Sequence, residues 1–278
     1  MKKHPLAAPV VKWAGGKRQL LEDIAAHLPN NYSTYYEPFF GGGAVLFELQ
    51  PQKAVVNDIN EELINVYNVI RDNVEDLVAD LEKHKNEADY FYKIREMDRN
   101  KEKYNRLSDV EKASRILYLN KTCYNGLFRV NQQGEFNAPF GRYKNPNIVN
   151  EEVLRAVNNY FNKAEITFKC GDFVEAVQGI RKGDFVYFDP PYDPISDSAN
   201  FTGYNRNGFS RREQIRLKRL CDRLNRKGIN FLLSNSATEF ILDLYKDYNI
   251  TIVQAKRAIN SKGNKRGSVD EVLVRNYE

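Results

Sequence analysis

Short apolar runs alternate along most of the chain with segments whose apolar residues recur at helical spacing. That alternation restricts the fold more than any other feature. Strands separated by helical stretches are joined by crossovers, which lay them parallel in one sheet covered by helices, an α/β architecture. The predicted strands are YYEPF (35–39), KAVVND (53–58), EITFK (165–169), DFVYFD (184–189), INFLLS (229–234), ITIVQA (250–255) and EVLVRN (271–276). The last two flank a loop rich in Gly, Lys and Asn and read as an antiparallel hairpin at one side of the sheet.

About a hundred residues between the second and third strands carry little strand signal. The block opens with NEELINVYNVIRDN, where Leu63, Ile64, Tyr67 and Ile70 fall at helical spacing. A later helix is expected to start at SDVE, where Ser108 and Glu111 match a capping box ahead of Ile116, Leu117 and Leu119. A crossover needs only about a dozen residues. The excess predicts an inserted helical domain at residues 61–164, with residues 1–60 and 165–278 forming the sheet domain.

Of the 278 residues, 42% are apolar, enough for one sizeable core or for one domain carrying a large insertion. The N-terminal apolar stretch Leu6 to Val11 is short, broken by Pro9 and closed by Lys12, so neither a signal peptide nor a bilayer span is predicted. A soluble, cytoplasmic protein is the expectation. Cys123, Cys170 and Cys221, with His4, His27 and His84, show no metal-site or disulfide spacing, so no metal and no Cys or Ser-His catalysis is expected. The net charge of +5 is unevenly spread. In KTCYNGLFRVNQQGEFNAPFGRYKNPN (121–147), Lys121, Arg129, Arg142 and Lys144 stand against the single acid Glu135, with five aromatics between them. Basic residues interleaved with aromatics and amides suit a phosphate backbone and base edges.

YEPFFGGGAVLFEL places Gly41, Gly42 and Gly43 directly after a strand and before an amphipathic helix. A ligand can then approach N–H groups at a helix N-terminus with no Cβ in the way. The spacing is not the G-x-G-x-x-G of a dinucleotide site, which argues against a nicotinamide oxidoreductase. Asp58 ends the next strand, where an acid can accept from both ribose hydroxyls or cap the helix that follows. In KCGDFVEA, Asp172 and Phe173 could accept from an exocyclic amine and stack on a purine, or Asp172 could cap a helix. VVKWAGGKRQL holds the chain's only tryptophan, Trp13, able to cover a ligand, and Lys17, able to neutralise a carboxylate.

Ligands of open α/β sheets bind beyond the carboxyl ends of the strands, and DFVYFDPPYDP delivers Asp189 to that edge. Pro190 and Pro191 fix φ and lack N–H groups, so they hold the turn rigid and are expected to leave their carbonyls free as acceptors. Asp189 and the Pro190 carbonyl make two acceptors for one primary amine, and Tyr192 offers a face on which a heterocycle can stack. Two accepted hydrogen bonds draw an aromatic amine toward sp³ geometry and free its lone pair for attack.

The order KWAGGK, EPFFGGGA, ND, an insertion with YNGLFRVNQQGEFNAPFGRYKNP, and DPPY resembles the Dam-type bacterial DNA adenine-N6 methyltransferases, closest to their GATC-modifying branch. The likeness runs from about Val10 to the C-terminus. It implies a Rossmann-like S-adenosylmethionine-dependent methyltransferase sheet with an inserted, mainly helical DNA-recognition domain. By the same resemblance, Trp13 and Lys17 contact the methionine part of S-adenosyl-L-methionine, Phe39, Gly41 and Gly43 form its glycine-rich loop, and Asp58 is its ribose acid. Asp172 and Phe173 resemble the pair at the cofactor's adenine, and Asp189, Pro190, Pro191 and Tyr192 match the catalytic tetrapeptide. Tyr124, Asn125, Leu127, Arg129 and Pro139 match residues that enter or read the DNA site. Lys121, Arg142, Tyr143 and Lys144 match phosphate contacts, and Phe128 is given no role. AINSKGNKRGSVDEVL resembles a basic loop near the DNA or the flipped base.

The expected reaction is methyl transfer to N6 of adenine in double-stranded DNA, by base flipping and in-line attack. The chain is expected to act as a monomer, with a cognate restriction endonuclease sharing its site without stable complex. A methyltransferase acting on cytosine N4, or on a protein or RNA amide, would share the catalytic motif but would not predict such an insertion. A non-enzymatic DNA-binding module would leave DPPY and FFGGGA unexplained.

Overall fold

The computed structural model describes residues 3–17, 19–195, 209–256 and 268–278. Every predicted strand forms: β1 (Tyr35–Glu37), β2 (Lys53–Asp58), β3 (Glu165–Cys170), β4 (Phe185–Phe188), β5 (Asn230–Ser236), β6 (Asn249–Lys256) and β7 (Ser268–Arg275). They make one seven-stranded sheet of order β3-β2-β1-β4-β5-β7-β6. β1 to β5 run parallel, whereas β7 enters between β5 and β6 antiparallel to both. The expected Rossmann-like α/β sheet is therefore present, with its reversed pair at one side. β1 stops at Glu37, short of the predicted residue 39, where Pro38 has no N–H for a ladder.

Side chains alternate across the strands with period two, so each sheet face has its own core. Tyr35, Phe185, Tyr187, Leu232 and Leu273 face one layer, and Tyr36, Val186, Phe188, Phe231 and Leu233 face the other. Burial on both faces explains why β1 and β4 are buried throughout and apolar along most of their length.

The first layer draws on α1 (Leu21–Ala26), α2 (Ala44–Leu49), α3 (Glu61–Asp72), α4 (Val74–Leu81), α5 (Ala88–Arg95), α7 (Asp109–Thr122) and α8 (Glu151–Lys163), with α6 (Lys101–Asn105) preceding α7. The second is covered by α9 (Phe173–Ala176), α10 (Arg211–Arg226) and α11 (Glu239–Leu244). In α10, Leu217, Leu220, Cys221 and Leu224 repeat at helical spacing and are buried, while most of the other positions are charged.

Between β2 and β3, α3 starts at the N-cap Asn60, whose side chain accepts from the Leu63 N–H. Asn60, and not Asp58, is therefore the cap of that helix. The predicted capping box of Ser108 and Glu111 opens α7. α3 and α8 pack on β3, and α4 and α5 pack on α7. A buried node holds this region together: Asp98 accepts from Arg115 at 2.8 Å, from Arg99 at 2.7 Å and from the Phe136 N–H at 2.8 Å.

From β1 the chain steps outward to β2 and β3, then returns to β4 and steps the opposite way to β5. The carboxyl ends of β1 and β4 flank this reversal, which is where open α/β sheets bind ligands.

Candidate active site

Asp189 follows the last residue of β4 and is held from two sides. Its Oδ1 lies 2.7 Å from the Lys17 ammonium and accepts from the Ser234 hydroxyl at 3.0 Å. Ser234, on β5, is also hydrogen-bonded to the Tyr187 hydroxyl at 3.0 Å. Burial pushes the Asp189 carboxyl up from its ordinary range, while Lys17 and Ser234 pull it back. The Lys17 ammonium sits 4.6 Å from the centre of the Tyr192 ring and donates to the Gly15 carbonyl at 2.5 Å. The structure thus brings together two distant motifs, KWAGGK and DPPY.

The turn after Asp189 is fixed from outside as well as by its prolines. Gln214 of α10 donates to the Pro191 carbonyl at 2.9 Å. The expectation that both proline carbonyls stay free is thereby corrected: an α10 amide takes the second. Among the described residues no hydrogen bond reaches the Pro190 carbonyl. Buried Asp193 anchors the far side, pairing with Arg211 at 3.0 Å and accepting from Thr238 at 2.8 Å, while its own N–H donates to Asn235 at 3.0 Å. Tyr192 donates its hydroxyl to Glu271 of β7 at 2.7 Å.

Glycine is required in the loop after β1. Gly41 has φ +50°, and a Cβ there would stand 3.1 Å from the Trp13 indole; Gly43 has φ +68°, and its Cβ would collide with the Phe40 ring at 2.6 Å. The Gly41 N–H donates to Asp58 Oδ2 at 2.8 Å, and the Asn60 N–H donates to Oδ1 at 2.9 Å. Each carboxylate oxygen has a second lone pair for a hydroxyl. Phe39 stacks on Phe173 with ring centres 5.2 Å apart. Ammonium, strand-end acid, close-packed glycines and aromatic faces match the carboxylate, ribose and purine of S-adenosylmethionine, so the donor set fits that cofactor.

Asp172 is the N-cap of α9, accepting from the Val174 N–H at 2.9 Å. Its two oxygens also receive Arg216, each at 2.7 Å, and the guanidinium lies 4.7 Å from the Phe173 ring centre. The capping alternative is the one formed, and an exocyclic amine at Asp172 would share oxygens with Arg216.

Residues 123–140 fold back on themselves, bridged at Cys123 to Phe140 and at Val130 to Phe136. The Tyr124 N–H donates to the Pro139 carbonyl at 2.8 Å, bringing those two residues together. Asn125 adopts φ +58° and Arg142 φ +53°, so both mark sharp changes of chain direction. Tyr124 and Tyr143 are exposed, at 57% and 40%, as are Pro139, Arg142 and Lys144, while Lys121 and Leu127 are half-buried. Arg129 is turned inward onto Asn137, through Nε at 2.7 Å to the side chain and Nη2 at 3.1 Å to the carbonyl. Residues 258–267 of the basic loop, with Arg257 before it and Arg18, lie outside the described residues.

Several participants carry no mark in their own motifs. Buried Asn120 binds the Lys12 N–H at 2.8 Å, the Lys12 carbonyl at 2.9 Å and the Gly126 carbonyl at 3.1 Å, joining the Trp13 loop to the YNG turn. Phe128, given no role from sequence, stacks on Trp13 with ring centres 4.6 Å apart. Glu37 ends β1, accepts from Tyr35 at 2.9 Å and is pushed well above the ordinary carboxylate range by burial. Only its place at a strand end could have signalled it.

Comparison with known proteins identifies the family. The D12 class N6 adenine-specific DNA methyltransferase family matches residues 13–259. The Type II methyltransferase M1.LlaDCHI of Lactococcus lactis subsp. cremoris is 45% identical over 97% of this chain and 95% of its own. The Type II methyltransferase M.MjaIII of Methanocaldococcus jannaschii is 42% identical, covering 97% and 99%. The DNA adenine methylase of Escherichia coli K12 is 35% identical, covering 95% and 93%.

Proposed function

The chain belongs to the D12 class of N6 adenine-specific DNA methyltransferases, enzymes that use S-adenosyl-L-methionine, and from that premise we propose how and where it acts. Its target is adenine within GATC in double-stranded DNA, the base is flipped out of the helix, and the amine attacks directly. Residues 1–60 and 165–278 form the catalytic domain and 61–164 the target-recognition domain.

The observation that carries this reading is the junction of Lys17, Asp189 and Tyr192 at the sheet reversal. The N6 amine of a paired adenine is engaged with its partner base, so a carboxylate and an adjoining carbonyl at the end of β4 can both accept from it only if the base leaves the duplex. Oδ1 of Asp189 is taken by Lys17 and Ser234, which leaves Oδ2, with the Pro190 carbonyl, to accept from the amine. Tyr192 supports the ring. When bound, the cofactor supplies a sulfonium-activated methyl group, which the amine takes in line with no covalent enzyme intermediate. Preorganised acceptors and positioning supply the acceleration. Trp13, Lys17, Phe39, Gly41, Gly43 and Asp58 would hold the cofactor, with Phe173 behind Phe39.

In the insertion, Tyr124, Asn125, Leu127, Arg129 and Pro139 are assigned to entering or reading the DNA site, and Lys121, Arg142, Tyr143 and Lys144 to phosphates. The enzyme works in the cytoplasm as a monomer beside a restriction endonuclease of the same specificity, a setting supported by the Type II names of two relatives.

The test is methyl transfer to duplexes containing GATC and each single-base variant, with the product identified by mass analysis. N6-methyladenine confined to GATC is expected, and Asp189→Ala should lower the rate by ~100-fold or more, the scale of losing one preorganised hydrogen-bond partner. Equal methylation of all duplexes would overturn the GATC assignment, and near-normal turnover by Asp189→Ala the site.

A further inference from the structure

We propose that Glu271 is a positioning residue of the methyl transfer, acting through the Tyr192 hydroxyl to hold the stacking ring at the Asp189 turn. The proposal rests on the reading that Tyr192 supports the target base.

Pro190 and Pro191 fix their own φ and Gln214 holds the Pro191 carbonyl, yet nothing in the DPPY motif fixes the rotation of the Tyr192 ring. Three described polar groups bear on it, and the Ser234 hydroxyl beside the phenol is one. The Tyr192 hydroxyl donates to Glu271 Oε2 at 2.7 Å, and the Lys17 ammonium stands over the ring face at 4.6 Å. Lys17 is tied to Asp189 at 2.7 Å, while Glu271, inside the segment AINSKGNKRGSVDEVL, carries no role of its own from sequence.

Its placement is rigid. Glu271 lies within β7, a strand paired on both sides, opposite Ser236 of β5 and Val253 of β6. Its neighbours Val272 and Leu273 are fully buried, one in each core layer. A carboxylate on such a strand is a fixed acceptor, and a hydrogen bond to a charged acceptor is stronger than one between neutral groups. The phenol that donates to it also becomes richer in electrons, which strengthens the attraction of its ring face for positive charge. Charge of that sign develops on the amine as it takes up a methyl group, so the bond contributes both ring angle and electrostatics where the reaction needs them.

Two variants remove this bond from opposite ends, and a third keeps an acceptor without its charge. Single-turnover transfer to a GATC duplex is compared for Glu271→Ala, Tyr192→Phe, their double variant and Glu271→Gln, with S-adenosylmethionine affinity measured by calorimetry as the check on folding. Glu271→Ala and Tyr192→Phe should each slow transfer about tenfold, the scale of one charge-assisted hydrogen bond. The double variant should be no slower than either, Glu271→Gln should recover part of the rate, and cofactor affinity and KM for DNA should hold. Wild-type rates for Tyr192→Phe or Glu271→Ala, or losses that multiply in the double variant, would overturn the role of Glu271. If Glu271→Ala fails to fold, Tyr192→Phe alone decides. Failure of the underlying reading looks different, since Tyr192→Ala and Asp189→Ala would then both retain full transfer.

Discussion

Glu37 shows how a residue can be costly to the fold and still sit where chemistry is done. Only 2% of its surface is exposed, and it closes β1 at the sheet reversal within electrostatic range of Asp189 and Lys17. Burial raises its carboxyl well above the ordinary 4.5, against the pull of the Tyr35 hydroxyl and of Lys17. Between the ordinary and the raised value, the folded protein holds a proton that the unfolded chain has released. Stability therefore falls as pH rises through that window. Glu37→Gln fixes the group in a neutral form, so its unfolding midpoint should decline less than that of the wild type as pH rises above the ordinary carboxylate range. Parallel curves in scanning calorimetry would show that Glu37 does not contribute. Asp58, Asp189 and Glu271 are raised by burial in the same sense, so the difference between the two proteins, and not the whole slope, is the quantity to read.

At the scale of elements, the turnback of residues 123–140 is where specificity is expected, and its supports are unequal. Arg129 spends Nε and Nη2 on Asn137, an arrangement that orients a guanidinium whose remaining N–H groups can address guanine O6 and N7. Arg142 is exposed and makes no such internal fork. Arg129→Ala should relax discrimination at the guanine by roughly 1 to 3 kcal/mol, whereas Arg142→Ala should weaken binding to all duplexes and flatten its salt dependence. Methylation rates on single-base variants at fixed salt separate the two. Preference ratios left intact by Arg129→Ala would mean that its fork serves only Asn137. The turnback itself hangs on Asp98, which takes the Phe136 N–H while paired with buried Arg115. Asp98→Ala strands that guanidinium and should destabilise the protein by about 3 to 5 kcal/mol, measurable by urea unfolding. Strand and cap signals such as KAVVND and SDVE were legible because they are local. The grip of Asn137 on Arg129, of Arg216 on Asp172 and of Gln214 on the Pro191 carbonyl was not, since hydrogen-bonding side chains look the same in sequence whether they meet a ligand or another part of the chain.

For the molecule as a whole, the sequence announced an α/β sheet and the ends of its strands, and hence the edge at which DPPY and the glycine loop meet. It did not announce the order of strands. Nothing in ITIVQA or EVLVRN says that the later strand enters between the earlier one and β5, because both are apolar and both are bordered by polar segments. The long-range partners of the active site on β5 and β7 were hidden with it. Glu271 is 79 positions from Tyr192, and Ser234 is 45 from Asp189. Pairing over such separations forms slowly, since chain entropy must be lost before the contact is gained. A chain ending before β7 would leave one edge of β5 unpaired, since Leu233 of β5 pairs with Val274 of β7 and Ser234 with Leu273. An open apolar edge is a template for pairing with other chains. A polypeptide ended by a stop codon after Tyr248 should therefore collect in the insoluble fraction, while the full chain stays in the supernatant. Synthesis would also carry its own safeguard, because a nascent enzyme cannot complete the setting of Tyr192 until β7 has left the tunnel.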